Sequence, residues 1–195
     1  MGTRGCYGFY KSGVTKATYN HYDSYPDYLG LSIANDISKA TNEEWNDIFD
    51  KIIMVDENDK PTQEQIEECQ EWLNLDVSTQ CADDWYCLLR DAQGDIEAFT
   101  KGLKYMIEYS SFINSLMCEY IYIINLDTNE LEFYIGGCDK FTYNRYNDHV
   151  FSGEEFNEYF RRYCRHLKSF PLDFVREDPE AVVLQMNEAV NKEYE

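Results

Sequence analysis

Two strand–turn–strand patterns constrain the fold of this chain more than any other feature. The first joins residues 3–10 and 14–19 around the Gly-containing turn Lys11-Ser12-Gly13. The second joins residues 119–126 and 130–135, where apolar runs flank the turn Asp127-Thr128-Asn129. Helical patterns occupy most of the chain between and after these hairpins. We therefore expect an α+β fold in which several helices pack on one mixed or antiparallel sheet. No linker interrupts the sequence, which predicts a single domain over residues 1–195.

The helical patterns are marked by caps and by apolar spacing. Thr41 followed by Glu44 is a capping box. An apolar stripe at helical spacing follows it, formed by Trp45, Ile48, Phe49, Ile52 and Ile53. This stripe predicts a helix with a buried face that ends near Met54, and Thr62 with Gln65 predicts a second helix that reaches about Asn74. Further helices are predicted over residues 29–40, 85–94, most of 95–116, 152–166 and 179–195.

Negative charge is concentrated in the middle third of the sequence. Between Thr41 and Glu97 there are 17 Asp and Glu residues against three basic residues, which accounts for most of the formal net charge of −20. The two predicted helices carry outward rows of carboxylates at Glu43, Asp47, Asp50, Glu64, Glu67, Glu68 and Glu71. Like charges at this spacing repel each other by about 0.2–0.5 kcal/mol per pair. The rows are therefore a candidate partner-binding face, and a merely solvated face or a metal-binding row is the alternative.

The charge also limits the classes of partner. A surface this acidic repels nucleic acid and anionic membranes, and it attracts the basic clefts that bind nucleic acid. No apolar run is long enough to span a bilayer, and no signal-peptide core is present. The seven cysteines are scattered without a CxxC pair, so we expect reduced thiols in a cytoplasm and neither a metal ion nor a cofactor. The predicted partner is a basic protein, above all a nucleic-acid-binding nuclease, with no direct contact to nucleic acid or membrane.

The N-terminal region carries the candidate residues for chemistry. A strand that returns to a loop containing His, Asp and Ser could assemble a site beside the first strand. If the chain is an enzyme, the candidate catalytic residues are Thr3, Arg4, Cys6, Asn20, His21, Asp23 and Ser24. Thr3 and Cys6 are three residues apart on one strand, so strand alternation predicts that they face opposite sides. The alternative interpretation is an Asx-turn at a helix entry, with His21 packed on tyrosines.

The same region carries a family resemblance. The start Met-Gly-Thr-Arg-Gly and the segment Tyr-Asn-His-x-Asp-Ser-Tyr-Pro-x-x-Leu-Gly resemble an uncharacterised family of small phage, bacterial and fungal proteins. Residues 84–90 and 118–127 are similar to later segments of that family, which implies no function. His21-x-Asp23 is also loosely similar to a loop of the N-terminal-nucleophile (Ntn) amidohydrolases, which implies an Ntn-hydrolase-like fold. Their chemistry requires Cys, Ser or Thr at the free N-terminus, whereas removal of Met1 exposes Gly2.

Two functions of different classes follow from these features. The leading hypothesis is an acidic phage or mobile-element inhibitor, of the anti-CRISPR or anti-nuclease type, that binds a basic nucleic-acid-binding cleft in the host cytoplasm. The alternative is a small Ntn-like hydrolase that uses the N-terminal hairpin and the Asn20–Ser24 loop. Whether the chain is an enzyme stays open. The missing N-terminal nucleophile favours a function without catalysis.

Overall fold

The computed structural model describes residues 2–148 and 162–194 of the chain. The described part contains seven strands: Gly5–Lys11 (β1), Val14–Asn20 (β2), Ile53–Val55 (β3), Tyr105–Ile107 (β4), Tyr120–Asn125 (β5), Glu130–Cys138 (β6) and Tyr163–Pro171 (β7). It contains seven α-helices: Leu31–Ile37 (α1), Asn42–Lys51 (α2), Gln63–Glu68 (α3), Trp85–Leu88 (α4), Glu97–Thr100 (α5), Leu172–Glu177 (α6) and Pro179–Tyr194 (α7). This content confirms the predicted α+β class.

Five strands form one mixed sheet in the order β2-β1-β5-β6-β7. The neighbouring strands β1 and β5 are parallel, and the other three neighbouring pairs are antiparallel. Both predicted hairpins are present as β1–β2 and β5–β6. The parallel pairing joins them edge to edge, so the N-terminal strand lies inside the sheet with a partner on each side.

The first hairpin follows from the chemistry of its turn. Lys11 pairs with Val14, which leaves Ser12 and Gly13 as a two-residue connection. Both residues have positive φ, 51° for Ser12 and 83° for Gly13. A two-residue turn with two positive φ angles matches the right-handed twist of the strands that it joins, and glycine adopts such an angle without steric cost. Local sequence therefore fixes the register of β1 on β2.

The sheet is covered on both faces. Along β1, Tyr7 and Phe9 belong to the larger core cluster, whereas Cys6 belongs to a smaller one, as strand alternation requires. The helices contribute to the larger cluster through Ile33, Trp45, Trp85, Leu172 and Val182. The smaller cluster contains Ile113, Ile121, Ile123, Tyr134 and Cys164. Strand β1, which carries Cys6, is therefore held between two packed layers.

A second, two-stranded parallel sheet corrects two sequence predictions. Helix α2 ends at Lys51 rather than near Met54, because the residues that follow it form β3. The partner strand β4 lies inside the stretch 95–116, which was predicted to be mostly helical. Trp45, Phe49 and Ile52 are buried as expected, but Ile53 is 48% exposed because it lies on β3 and not on the helix stripe. The apolar spacing continued by coincidence past the end of the helix.

Two other helix predictions are also wrong in part. Helix α3 ends at Glu68 and is followed by a tight turn at Gln70–Trp72 instead of continuing to Asn74. Residues 163–166 lie on β7, where they pair with β6, so the predicted helix over 152–166 does not extend to His166. The earlier part of that helix falls at residues 152–161, outside the described residues. The last helix begins at Pro179 as predicted.

A helix that crosses a lipid bilayer must be both long and predominantly apolar. None of the helices within residues 2–148 and 162–194 combines the length and the apolar character that a membrane crossing requires.

Candidate functional site

The candidate catalytic residues of the N-terminal region separate into a buried group (Thr3, Cys6, Asn20 and Ser24), a pocket-lining group (Arg4 and His21) and the exposed Asp23. In the buried group, the Asn20 side-chain amide donates to the Tyr22 carbonyl at 2.7 Å and to the Ser24 hydroxyl at 2.9 Å. The Ser24 backbone N–H donates to the Thr3 carbonyl at 3.2 Å, and the Tyr122 hydroxyl donates to the Ser24 carbonyl at 2.9 Å. Buried polar groups must be paired in this way. Asn20 and Ser24 therefore hold the loop against the sheet.

The candidate nucleophiles do not face a described pocket. Thr3 is 4% exposed and Cys6 is fully buried, with its thiol directed at the Tyr109 carbonyl at 3.7 Å. Asp23 is exposed on a turn with φ of 56°, and its carbonyl accepts the Leu29 backbone N–H at 3.2 Å. The hydrolase hypothesis requires a Ser, Thr or Cys nucleophile in hydrogen-bond contact with a base. The described residues at this end of the molecule show no such pair.

Arg4 and His21 line one open pocket of about 350 Å³. Its other lining residues are Tyr19, Glu57, Tyr86, Tyr109, Phe112 and Met117. They come from β2, from the loop after β3, from α4 and from the segment between β4 and β5. Sequence reasoning identified Arg4 and His21 but missed Glu57 and the aromatic walls, because no local pattern connects these separate segments.

His21 is packed among tyrosines, as the alternative interpretation predicted. Its Nδ1 lies 2.8 Å from the Tyr19 hydroxyl, and its ring makes edge contacts with Tyr19 and Tyr22. Burial lowers the pKa of His21, and the positive charges of Arg90 and Arg4 lower this pKa further. The imidazole is therefore neutral at neutral pH and able to donate from one ring nitrogen and accept at the other.

The remaining polar groups give the pocket two different ends. Burial raises the pKa of Tyr109, and its hydrogen bond to the Glu57 carboxylate raises this pKa further. Burial also raises the pKa of Tyr19, against which the charge of Arg4 acts in the opposite direction. Arg4 and His21 thus define a donor-rich end, and Glu57 with Tyr109 defines an acceptor end.

The acidic rows are only partly free. Asp50 pairs with Lys11 at 2.9 Å, and Glu68 pairs with Lys104 at 3.1 Å while accepting the Tyr105 hydroxyl at 2.7 Å. The hydrogen bond from Lys101 to Glu97 raises the pKa of Lys101, and the charge of the nearby Glu71 adds a small contribution in the same direction. Glu67 accepts the Gln63 amide at 2.9 Å. These contacts remove Asp50 and Glu68 from a face of unpaired carboxylates.

Five of the seven row residues are exposed and form no ion pair with a basic side chain of the described residues: Glu43, Asp47, Glu64, Glu67 and Glu71. Asp47 shares a groove of about 410 Å³ with Lys39, Lys51 and Lys104, which reduces its local field. Glu64 and Glu67, by contrast, stand on the outer side of α3 without a described basic side chain in ion-pair contact. The least compensated part of the rows is therefore on α3.

Ion pairs within the molecule neutralise much of its positive charge. Nine basic side chains of the described residues form ion pairs with carboxylates: Lys11, Lys39, Lys60, Lys101, Lys104, Arg145, Arg162, Arg165 and Arg176. Lys16 instead donates to the Phe49 and Ile52 carbonyls, each at 2.7 Å. Because the chain has 37 acidic residues against 17 Lys and Arg, most carboxylates keep their field toward solvent.

No group of His, Cys, Asp and Glu in residues 2–148 and 162–194 has the arrangement that holds a metal ion. Comparisons with family models, with curated proteins and with solved structures match nothing to this chain. Its function must therefore be argued from the chemistry of its own surface and pocket.

Proposed function

We propose that this protein is an acidic inhibitor that occupies a basic, nucleic-acid-binding cleft of a partner protein. The observation that carries the proposal is the uncompensated charge on α3, where Glu64 and Glu67 face solvent while most described cations are paired within the molecule. A phage or mobile-element inhibitor of a host nuclease, such as an anti-CRISPR protein, is the type that fits this surface. It acts in the cytoplasm of the host cell and uses binding rather than catalysis.

Contact with a basic cleft changes the electrostatic free energy of both surfaces. A cleft that binds nucleic acid carries closely spaced Lys and Arg, and its counterions are released when an acidic ligand replaces them. Carboxylates on α3 repel one another in the free protein, so a basic partner relieves that repulsion as it binds. Charge complementarity of this kind sets the rate of association and the choice of partner.

The test compares two double variants that make the same change in net charge. Glu64→Gln with Glu67→Gln neutralises the free carboxylates of α3. Glu177→Gln with Glu188→Gln is the matched control, because both residues are exposed and lie in the C-terminal helices. Each variant and the wild type is used to capture partners from host lysate, and the captured protein is then purified and titrated directly.

We expect the α3 variant to bind the purified partner at least about tenfold more weakly than wild type, and the control to bind like wild type. Binding should weaken as salt rises above about 0.1 M, where the screening length is about 10 Å, and duplex DNA should compete for the partner. Equal affinity of the α3 variant and wild type would falsify the proposed face.

The small Ntn-like hydrolase remains the second candidate function. It is favoured by one observation, the convergence of Arg4 and His21 on a pocket. The burial of Thr3 and Cys6 away from that pocket weighs against it. A pocket without a nucleophile is better suited to binding a ligand than to cleaving one.

A further inference from the structure

Arg4 combines two properties: it lines a pocket, and it belongs to the minority of described cations that form no ion pair. No carboxylate of the described residues forms an ion pair with it, although Glu57 lines the same pocket. Arg90 adds a second positive charge nearby, since its guanidinium carbon lies 5.7 Å from the centroid of the Tyr86 ring, a wall of the pocket. Arg90 also donates to the Tyr22 hydroxyl at 2.7 Å. One end of the pocket is thus electropositive in a molecule of net charge −20.

The walls of the pocket are aromatic. The Tyr19 ring lies edge-on to Phe112 at 4.9 Å and is tilted against Tyr109 at 5.7 Å, so three rings meet on one side. Tyr86 completes the lining. A flat heterocycle gains stacking energy on such rings regardless of its identity, because every such heterocycle has a π-face. At the acceptor end, the Glu57 carboxylate suits ring N–H or exocyclic amino donors.

We propose that this pocket binds a small planar heterocycle that carries a phosphate, of the size of a nucleoside 5′-monophosphate. Arg4 and His21 bind the phosphate, the aromatic walls contact the ring, and Glu57 accepts from its N–H groups. A volume of about 350 Å³ lies at the lower end of the range for small-molecule pockets, which excludes a duplex. The proposal is independent of the partner-binding face, because Glu64 and Glu67 do not line this pocket.

The experiment is a calorimetric titration of the full chain with AMP, GMP, CMP and UMP. Adenosine and inorganic phosphate are titrated as the two halves of the proposed ligand. Arg4→Gln removes the charge at the phosphate end, and Tyr86→Leu removes one aromatic wall. Lys192→Gln, an exposed change near the C-terminal end of α7, is the charge-matched control. Circular dichroism and thermal melting establish that each variant is folded.

We expect at least one monophosphate to bind, and adenosine and inorganic phosphate each to bind more weakly. Arg4→Gln should weaken the affinity for the monophosphate by about ten- to a hundredfold, the usual loss for a hydrogen bond to a charged group. Lys192→Gln should leave this affinity unchanged. The His21 ring resonances should shift on binding in an NMR titration. If Arg4→Gln does not fold, the proposal predicts a loss of monophosphate affinity in Tyr86→Leu together with the shift of the His21 resonances in wild type.

Three outcomes contradict the proposal. The first is the failure of all four monophosphates to bind wild type. The second is equal affinity for adenosine and AMP, because the phosphate then contributes nothing. The third is tighter binding of a duplex or a long single strand than of any monophosphate, which assigns the pocket to nucleic acid instead. The first two outcomes leave the result expected for the Glu64 and Glu67 variant unchanged, so the two proposals fail separately. The third outcome also contradicts the expectation that this acidic protein does not bind nucleic acid directly.

Discussion

Replacement of Arg145 by Met tests the most deeply buried charge interaction in the described part of the chain. Arg145 donates two hydrogen bonds to the Glu132 carboxylate, at 2.7 and 2.6 Å. Glu132 lies on β6 and is 5% exposed, and it also accepts the Asn125 amide at 2.7 Å and the Tyr134 hydroxyl at 2.8 Å. The Arg145–Glu132 ion pair therefore links the segment after β6 to the sheet.

The size of the effect follows from what the variant leaves behind. Removing one partner of a buried ion pair costs about 3–5 kcal/mol, because the other charge stays buried without compensation. The two bonds from Asn125 and Tyr134 remain, and the introduced Met side chain takes the place of the guanidinium, whose carbon lies 3.9 Å from the centroid of the Tyr10 ring. We therefore expect a loss at the lower end of this range, about 3 kcal/mol in the free energy of unfolding.

The complementary variant Glu132→Gln should cost less. It leaves Arg145 unpaired, but 29% of that side chain is exposed and water can solvate the guanidinium. We expect a loss of about 2 kcal/mol, and the double variant should lose less than the sum of the single losses because neither charge is then orphaned. Urea denaturation of all four proteins measures these values, with equal slopes as the check on two-state unfolding. A loss below about 1 kcal/mol in Arg145→Met, or additive losses, would refute this reasoning.

Two further predictions concern a titrating carboxylate and the candidate nucleophiles. Burial, and then the charges of Asp95 and Glu97, raise the pKa of Asp36 to about 6. Its protonated form is favoured by folding, so stability is lost as pH rises through that pKa. Asp36→Asn should therefore be more stable than wild type by about 1 kcal/mol at neutral pH, after allowance for solvent screening, and equally stable at about pH 4 in thermal melts. Thr3→Ala and Cys6→Ala should keep full affinity for the captured partner, and loss of activity in either folded variant favours the hydrolase.

Local sequence signals predicted much of the fold. Both capping boxes, at Thr41 and at Thr62, form with the hydrogen bonds expected of them. The two hairpins and the helix that begins at Pro179 are also present. Each of these features is specified by residues within a few positions of one another, so a short stretch of sequence contains the whole cause.

The features that the sequence did not reveal depend on distant pairing. Strands β3 and β4 are three residues each, and Ile53 pairs with Tyr105 across a parallel register. No hairpin turn marks such a pair, and apolar runs that short are equally consistent with helix. The same limit applies to the pocket. Arg4 and His21 were visible as polar residues in a distinctive segment, whereas Glu57 becomes relevant only once the chain has folded beside them.

The interior position of β1 has a consequence for synthesis on the ribosome. One edge of β1 pairs with β2 as soon as both have emerged, but the other edge pairs with β5, more than a hundred residues later. A two-stranded hairpin alone is at best marginally stable, and an unpaired apolar edge invites association with other chains. The nascent hairpin, with Tyr7 and Phe9 not yet covered, is thus the segment of longest exposure in the growing polypeptide. Chaperones that bind short apolar strands should bind Gly5–Lys11 first and release it when Tyr120–Asn125 has been translated.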